Sequence, residues 1–302
     1  MNIVVTKNLG LYPDQKKRIQ ELGNVLFHET ESENPEEWYA RCQDANIICT
    51  GLMGLNSDFV YELHDVFISI PFVGHEFLNL DKLKSQKVTV ANAPGCNKEA
   101  VSEWIVSMLL FHFKNLETLT NSKTLTKNNA LQRSLSIWDK KIAILGAGHI
   151  GQHLNKILTA FGAQTSFFKR GNDILEITHN ADIVINCLAA NEDTQGLLNK
   201  VFFQSLKKGV FFISVARPQV YDIEALIDCL NQGHIAAAID DVANANVGDV
   251  NDVLYKRLAS HPQILATPHI SWNSESEARK ANDIMINNIE SWINGKPQNL
   301  LN

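Results

Sequence analysis

The run KIAILGAGHIGQHLNKILTAFG, residues 141–162, constrains the fold of this chain more than any other stretch. Gly146, Gly148 and Gly151 stand at the spacing GxGxxG, directly after an apolar pentapeptide and at the opening of a helical pattern. A second apolar run, QTSFF (164–168), completes a strand–helix–strand unit. Each glycine answers a separate physical need. The first permits a tight turn, the second lets backbone approach a pyrophosphate, and the third lets the helix pack closely on the strand. The helix N-terminus then offers unpaired N–H groups to the phosphates. The motif predicts a Rossmann-type dinucleotide-binding domain.

The rest of the chain repeats the alternation of strand and helix. In the first ninety residues, NIVVT (2–6), NVLFH (24–28), NIICT (46–50), VFISI (66–70) and VTVAN (88–92) read as strands. The helical segments between them, PDQKKRIQEL and PEEWYARCQDA, open on prolines suited to a first turn. A long helix is expected from about 97 to 119, with Val101, Trp104, Ile105, Met108, Leu109, Phe113 and Leu116 at helical spacing. The polar stretch TNSKTLTKNNALQRS reads as a loop. Beyond the glycine motif, further strands are expected at 181–188, 210–215, 234–239 and 263–267, then a terminal helix over about 276–294, stopped by Gly295 and Pro297. Such alternation gives open, mostly parallel α/β sheets, and 302 residues exceed one comfortable core. Two α/β domains are therefore expected.

Charge and composition exclude other classes. A net charge of -6 speaks against nucleic acid as the main partner. No apolar run is long enough to span a bilayer, and MNIVVTKNLG reads as a first strand and turn rather than a secretory signal. The five scattered cysteines form no CxxC pair and read as buried thiols of a cytoplasmic protein. His149 and His153 lie four apart, but the glutamate of HExxH is missing and the helix end faces a phosphate site, so no metal is expected.

The end of the second strand of the motif bears on the cofactor. A carboxylate there would hold a ribose 2′-hydroxyl and repel a 2′-phosphate. Here Lys169 and Arg170 follow the strand. Two cations favour NADP, with NAD as the alternative; the plainer reading is a solvated strand end.

Several motifs, in order and over nearly the whole chain, resemble the D-isomer-specific 2-hydroxyacid dehydrogenases. They are NAPGCNKEAVSEWIVSMLL (92–110), LGAGHIGQHL, FFISVARPQVYDIEALIDCL (211–230), AAAIDDV (236–242) and ATPHIS (266–271). The resemblance implies reversible hydride transfer between NADP(H) or NAD(H) and a small 2-keto or 2-hydroxy acid. It implies a flavodoxin-like substrate domain from 1–92 and 272–302 and a dinucleotide-binding domain from 93–271, with the site in the cleft between them. It further implies a homodimer, with which the apolar excess of the helix over 97–119 is consistent.

Site residues follow from the same resemblance. Arg217 matches the arginine that grips carboxylate and carbonyl oxygen, a task suited to a guanidinium fork. His269 matches the proton donor, and histidine titrates near neutral pH. Val73, Gly74 and His75 match a loop whose N–H groups hold the substrate carboxylate. For the cofactor, His149 and Ile150 lie on the phosphate turn, Ala189 and Thr194 near the ribose and nicotinamide, Val215 and Ala216 before the arginine, and Asp241 near the carboxamide. The chain departs from the family at Pro218, where glycine is usual, and at Ala189, where proline is usual. The largest departure is Asn246, which stands where the family keeps the glutamate that orients the histidine. An amide can hold a ring N–H but cannot stabilise imidazolium by charge, so His269 is expected to lose its proton at lower pH than in relatives. Asp249 is the nearest acid downstream. These departures leave room for a second reading, a catalytically weak NAD(P)-binding sensor or corepressor-like protein. Trp272 is a candidate pocket wall or a packed core residue.

Overall fold

The structure is a computed structural model that describes residues 1–120, 123, 125–242 and 247–302. The chain divides into two compact units, Met1–Asn97 with Ser274–Asn302, and Lys98–Asn273. Each is described by itself.

The first unit holds five parallel strands: β1 (Asn2–Val5), β2 (Asn24–Phe27), β3 (Ile47–Cys49), β4 (Phe67–Ser69) and β5 (Thr89–Ala91). Their order is β2-β1-β3-β4-β5, that of flavodoxin-like sheets. The central strands β3 and β4 are buried along their whole length, whereas edge strand β2 alternates between exposed and half-buried. That contrast follows from helices covering both faces of a parallel sheet. The helix Glu275–Ile293 returns from the chain end to cover one face, placing Met285, Ile286 and Ile289 against Ile3, Val5 and Phe67. Its N-terminus is capped by Ser274, whose Oγ accepts from Glu277 N–H.

The second unit holds six parallel strands: β6 (Lys141–Leu145), β7 (Gln164–Phe168), β8 (Ile183–Asn186), β9 (Val210–Ser214), β10 (Ile235–Asp241) and β11 (Ile264–Thr267). The order β11-β10-β9-β8-β6-β7 reverses direction between β6 and β8. Ligands of open α/β sheets bind beyond the carboxyl ends of the strands at such a switch point. Two open parallel sheets, one Rossmann-type and one flavodoxin-like, are the fold class read from the sequence.

One expected helix is divided. Helix Lys98–Phe113 stops short of 119, and a separate short helix runs over Leu116–Thr120. The cause is Asn115, left-handed at φ 53 with its N–H donated to His112 O. Asparagine tolerates that conformation and ends helices with it. The apolar excess of Lys98–Phe113 has a local use: Val101, Ile105, Leu109 and Phe113 pack with Ile142, Ile144, Ile183 and Ile213 of the sheet. The polar stretch after it also differs from a plain loop, since Lys127–Ala130 forms one helical turn with a Thr126–Asn129 capping box.

Candidate active site

The phosphate turn is built as its glycines require. Gly146 adopts φ 105, and a Cβ there would lie 2.8 Å from Cys187 O. A Cβ on Gly151 would lie 2.1 Å from Gly146 O, so helix His149–Ala160 can seat on the turn only with glycine at that position. Gly148 differs: a Cβ there would meet nothing within 4 Å. Its glycine is not required by protein packing, which leaves open space at the helix N-cap. Among the described residues no side chain caps that helix, and its first turn carries no acid. A cradle of this kind fits a pyrophosphate, with the N–H groups around His149 and Ile150 as donors. Cys187 packs behind the turn; burial pushes its thiol up to about 12, which makes it a poor nucleophile.

At the end of β7, Lys169 Nζ lies 5.9 Å over the Phe167 ring, and the exposed Arg170 guanidinium pairs with Asp193. Asp193 belongs to the loop of Ala189 and Thr194. Thr194 Oγ1 donates to Ala189 O at 2.6 Å and accepts from Asn191 N–H at 2.9 Å, so this hydroxyl shapes its own loop. Val215 donates its N–H to Asn186 O, and Ala216 donates its N–H to Ser214 Oγ.

Arg217 and His269 meet. Arg217 Nη1 lies 3.3 Å from His269 Nε2. A guanidinium only donates, so the imidazole accepts at Nε2 in this arrangement. Arg217 is extended (φ -60, ψ 145), as the following proline dictates, and Pro218 opens a 3-10 turn over Pro218–Val220. His269 is left-handed, at φ 56. A non-glycine residue holds that conformation at a cost unless its surroundings enforce it.

Asp241 supplies the enforcement. Its carboxylate accepts from Thr267 Oγ1 at 2.5 Å, from Ile270 N–H at 2.8 Å and from Ser271 N–H at 2.8 Å, bracketing His269. Trp272 adds a fourth tie, its indole N–H donating to His269 O at 3.1 Å. Gly248 N–H donates to Pro268 O, joining the loop from β10 to the histidine turn. Asp249 Oδ1 accepts from Asn251 N–H and so caps its own turn. Asn246 lies outside the described residues.

The neighbouring Asp240 faces the other way. Successive strand residues point to opposite faces, and Asp240 sits among the cluster of Phe212, Ala238 and Val242, while Ile239 belongs to that of Ile213 and Val215. Asp240 is 1% exposed. Oδ2 accepts from Tyr221 O–H at 2.6 Å, and Oδ1 meets no hydrogen-bond partner among the described residues. Burial pushes this carboxyl up to about 8, against the help of the Tyr221 hydroxyl and with the added repulsion of Asp241. A raised folded value means that the folded chain holds a proton the unfolded chain has released. Stability from this group is full below the ordinary value of 3.8 and is lost as pH rises toward about 8. Urea unfolding of wild type and Asp240→Asn between pH 5 and 8 should therefore diverge. Wild type loses stability relative to the variant by up to about 1.4 kcal/mol per pH unit. Parallel curves would show that Asp240 is ionised throughout.

In the first unit, the 73–75 loop is held from behind. Asn92 Nδ2 donates to Val73 O at 2.8 Å, Ala93 N–H to Phe72 O at 3.0 Å, and His75 Nδ1 lies 3.2 Å from Val73 O. Gly74 and its two neighbours are half-buried.

Comparison with known proteins identifies the class. Residues 106–271, more than half of the chain, match the family model described as D-isomer specific 2-hydroxyacid dehydrogenase, NAD binding domain. The chain belongs to that family of oxidoreductases, which act on CH–OH groups with a nicotinamide dinucleotide. It is similar to a hydroxypyruvate reductase of Blautia hydrogenotrophica, 24% identical over 100% of both chains. It is also similar to a D-lactate dehydrogenase of Staphylococcus aureus, 28% identical over 73% of this chain and 74% of that one. Its fold matches that of an acyclic imino acid reductase solved with NADPH and D-Arg, with TM-score 0.85, 23% identity and full coverage of both chains.

Tyr221, Asp240 and Thr267 were not singled out from sequence. The doubled aspartate of IDDV carried a usable signal: on a strand, two adjacent acids must serve two different faces.

Proposed function

We propose that this chain reduces a small 2-keto acid at the expense of NADPH, with Arg217 binding the substrate and His269 as acid/base. The observation that carries the reading is the 3.3 Å approach of Arg217 Nη1 and His269 Nε2 beyond the carboxyl ends of β9 and β11. A cation that grips carboxylate and carbonyl oxygen and a proton donor for that oxygen must converge on one point. The bound dinucleotide supplies the hydride. With the substrate's oxygens taking the place of Nε2 as acceptors for Arg217, protonated His269 supplies the proton from Nε2, and Arg217 draws charge from the carbonyl oxygen. The loop of Val73, Gly74 and His75 is assigned to the substrate carboxylate, and Asn246, outside the described residues, takes the sequence position of the family's acid. The joint presence of Arg217 and His269 at one point disfavours the sensor reading, since a sensor has no need of a proton donor beside the anion-binding guanidinium.

NADP is proposed over NAD because Lys169 and Arg170 follow β7 where an acid would select the free ribose hydroxyl. Gly146, Gly148, His149, Ile150 and Gly151 would take the pyrophosphate. Ala189, Thr194, Val215 and Ala216 would line the nicotinamide side. A homodimer is proposed on the exposed apolar side chains Leu116, Leu125, Leu131, Leu135 and Trp138. No helix among the described residues is long and apolar enough to cross a membrane. A cytoplasmic location is proposed from the five free cysteines.

Oxidation of NADPH and NADH against glyoxylate, pyruvate and bulkier 2-keto acids tests the reading. Turnover is expected with a lower KM for NADPH. The double variant Lys169→Ala, Arg170→Ala should raise the KM for NADPH about tenfold and that for NADH less than about twofold. A wild-type preference for NADH would overturn the cofactor assignment. Tight dinucleotide binding without turnover on any 2-keto acid would overturn the catalytic one.

A further inference from the structure

Asn186, Ser214 and Asp240 are in-register neighbours on the adjacent strands β8, β9 and β10. Such neighbours project from the same face of a sheet, so the three make one polar row across the carboxyl ends of the strands. None is more than 1% exposed. Asn186 Nδ2 donates to Ser214 Oγ at 3.3 Å, and the same oxygen accepts from Ala216 N–H. Tyr221 completes the row from the far side of the following turn. Its hydroxyl donates to Asp240 Oδ2 at 2.6 Å. The phenol is buried, and burial with the neighbouring carboxyl pushes it well above its ordinary value, so it stays a donor.

The surroundings of this row are apolar: Val184, Phe212, Ala238 and Val242 lie in the same cluster. Aliphatic side chains would fill the space without burying an oxygen that lacks a partner among the described residues, as Asp240 Oδ1 does. What a polar row adds is direction, because hydrogen bonds fix where a group sits and packing alone allows sliding. The segment so fixed is 215–220, which carries Arg217. One end is pinned by Ala216 N–H on Ser214, and the other by the Tyr221 hydroxyl on Asp240. The doubled aspartate thus serves both reacting side chains. Asp241 holds the turn of His269 on one face of β10, and Asp240 holds the turn of Arg217 on the other.

We infer that Tyr221 and Asp240 are positioning residues for Arg217, acting through the turn 215–220 to set where the guanidinium meets the substrate carboxylate. The inference rests on the substrate role of Arg217 proposed above. Neither residue touches substrate, so the chemistry of the step is unchanged by them.

The test compares Tyr221→Phe, Asp240→Ala, Asp240→Asn and Arg217→Lys in the full chain, with KM for keto acid, KM for NADPH and kcat measured for each. Tyr221→Phe and Asp240→Ala should raise the KM for keto acid about tenfold, while the KM for NADPH moves less than about twofold. Asp240→Asn should recover most of that loss, because its amide oxygen still accepts from Tyr221. A merely structural role would move both KM values together and show no rescue. If Asp240→Ala does not fold, Tyr221→Phe, which removes one hydroxyl only, decides the matter alone. An unchanged keto-acid KM in Tyr221→Phe, with Arg217→Lys defective, overturns the brace and leaves the role of Arg217 standing. An unimpaired Arg217→Lys refutes that role and the brace with it.

Discussion

His269→Asn is expected to lower kcat for keto-acid reduction by about 10³-fold, with the KM for NADPH changed less than about twofold. Asparagine is the apt substitute because it accepts the left-handed backbone of this position, φ 56, at little cost. Its backbone carbonyl can still accept from the Trp272 indole, so the turn should survive. What disappears is the ionisable nitrogen. The wild-type rate should fall on the alkaline side as His269 loses its proton, and the residual rate of the variant should be flat there. Asn246→Glu supplies the companion measurement. A carboxylate beside imidazolium favours the charged form, so the descending limb should move upward by about one pH unit in that variant. An unchanged limb would remove position 246 from the site. A retained wild-type rate in His269→Asn would remove His269 itself.

Much of this was legible because its causes are local. The glycine motif names its own geometry: one glycine must turn, one must sit under the helix, and at the third an added Cβ would meet no described protein atom within 4 Å. The strands declared themselves through short apolar runs bounded by turn residues, and most observed limits fall within a residue or two of those runs. The division of the helix at Asn115 was hidden, because Leu116 continues the helical spacing and a single left-handed asparagine does not disturb the pattern. The supports of the site were hidden for another reason. Tyr221 and Asp240 are nineteen positions apart, and Asp241 and Ser271 are thirty apart. Such pairs become neighbours only once strand order is known, and apolar periodicity says nothing of hydrogen bonds. Trp272, read as pocket wall or packing, ties down the histidine's own carbonyl. The same distance effect bears on Asp241. The resemblance suggests an aspartate facing the carboxamide, whereas the fold surrounds it with the N–H groups of the histidine turn.

Those two readings of Asp241 lead to different outcomes, and Asp241→Ala separates them. Its carboxylate is 1% exposed and accepts three hydrogen bonds, two of them from backbone N–H groups that no side chain of alanine can satisfy. A buried donor stripped of its acceptor costs about 1–3 kcal/mol. Some repair by the loop is possible only by relaxing the left-handed His269, which favours leaving that conformation by about 1–3 kcal/mol. As a brace, Asp241→Ala should therefore lose about 3 kcal/mol of stability in urea unfolding and about 10²-fold in kcat. The KM for NADPH should change little. Asp241→Asn keeps one acceptor but turns an N–H₂ toward groups that are themselves donors, so it should fall between wild type and alanine on both measures. As a cofactor contact, the order of effects reverses: the KM for NADPH rises and unfolding is unmoved. Because the three ties to Asp241 lie within four residues of His269 in sequence, the loss of kcat should track the loss of stability across the two variants. A kcat that falls in Asp241→Asn without any loss of stability would show that the charge itself, and not the hold on the turn, is what the reaction needs.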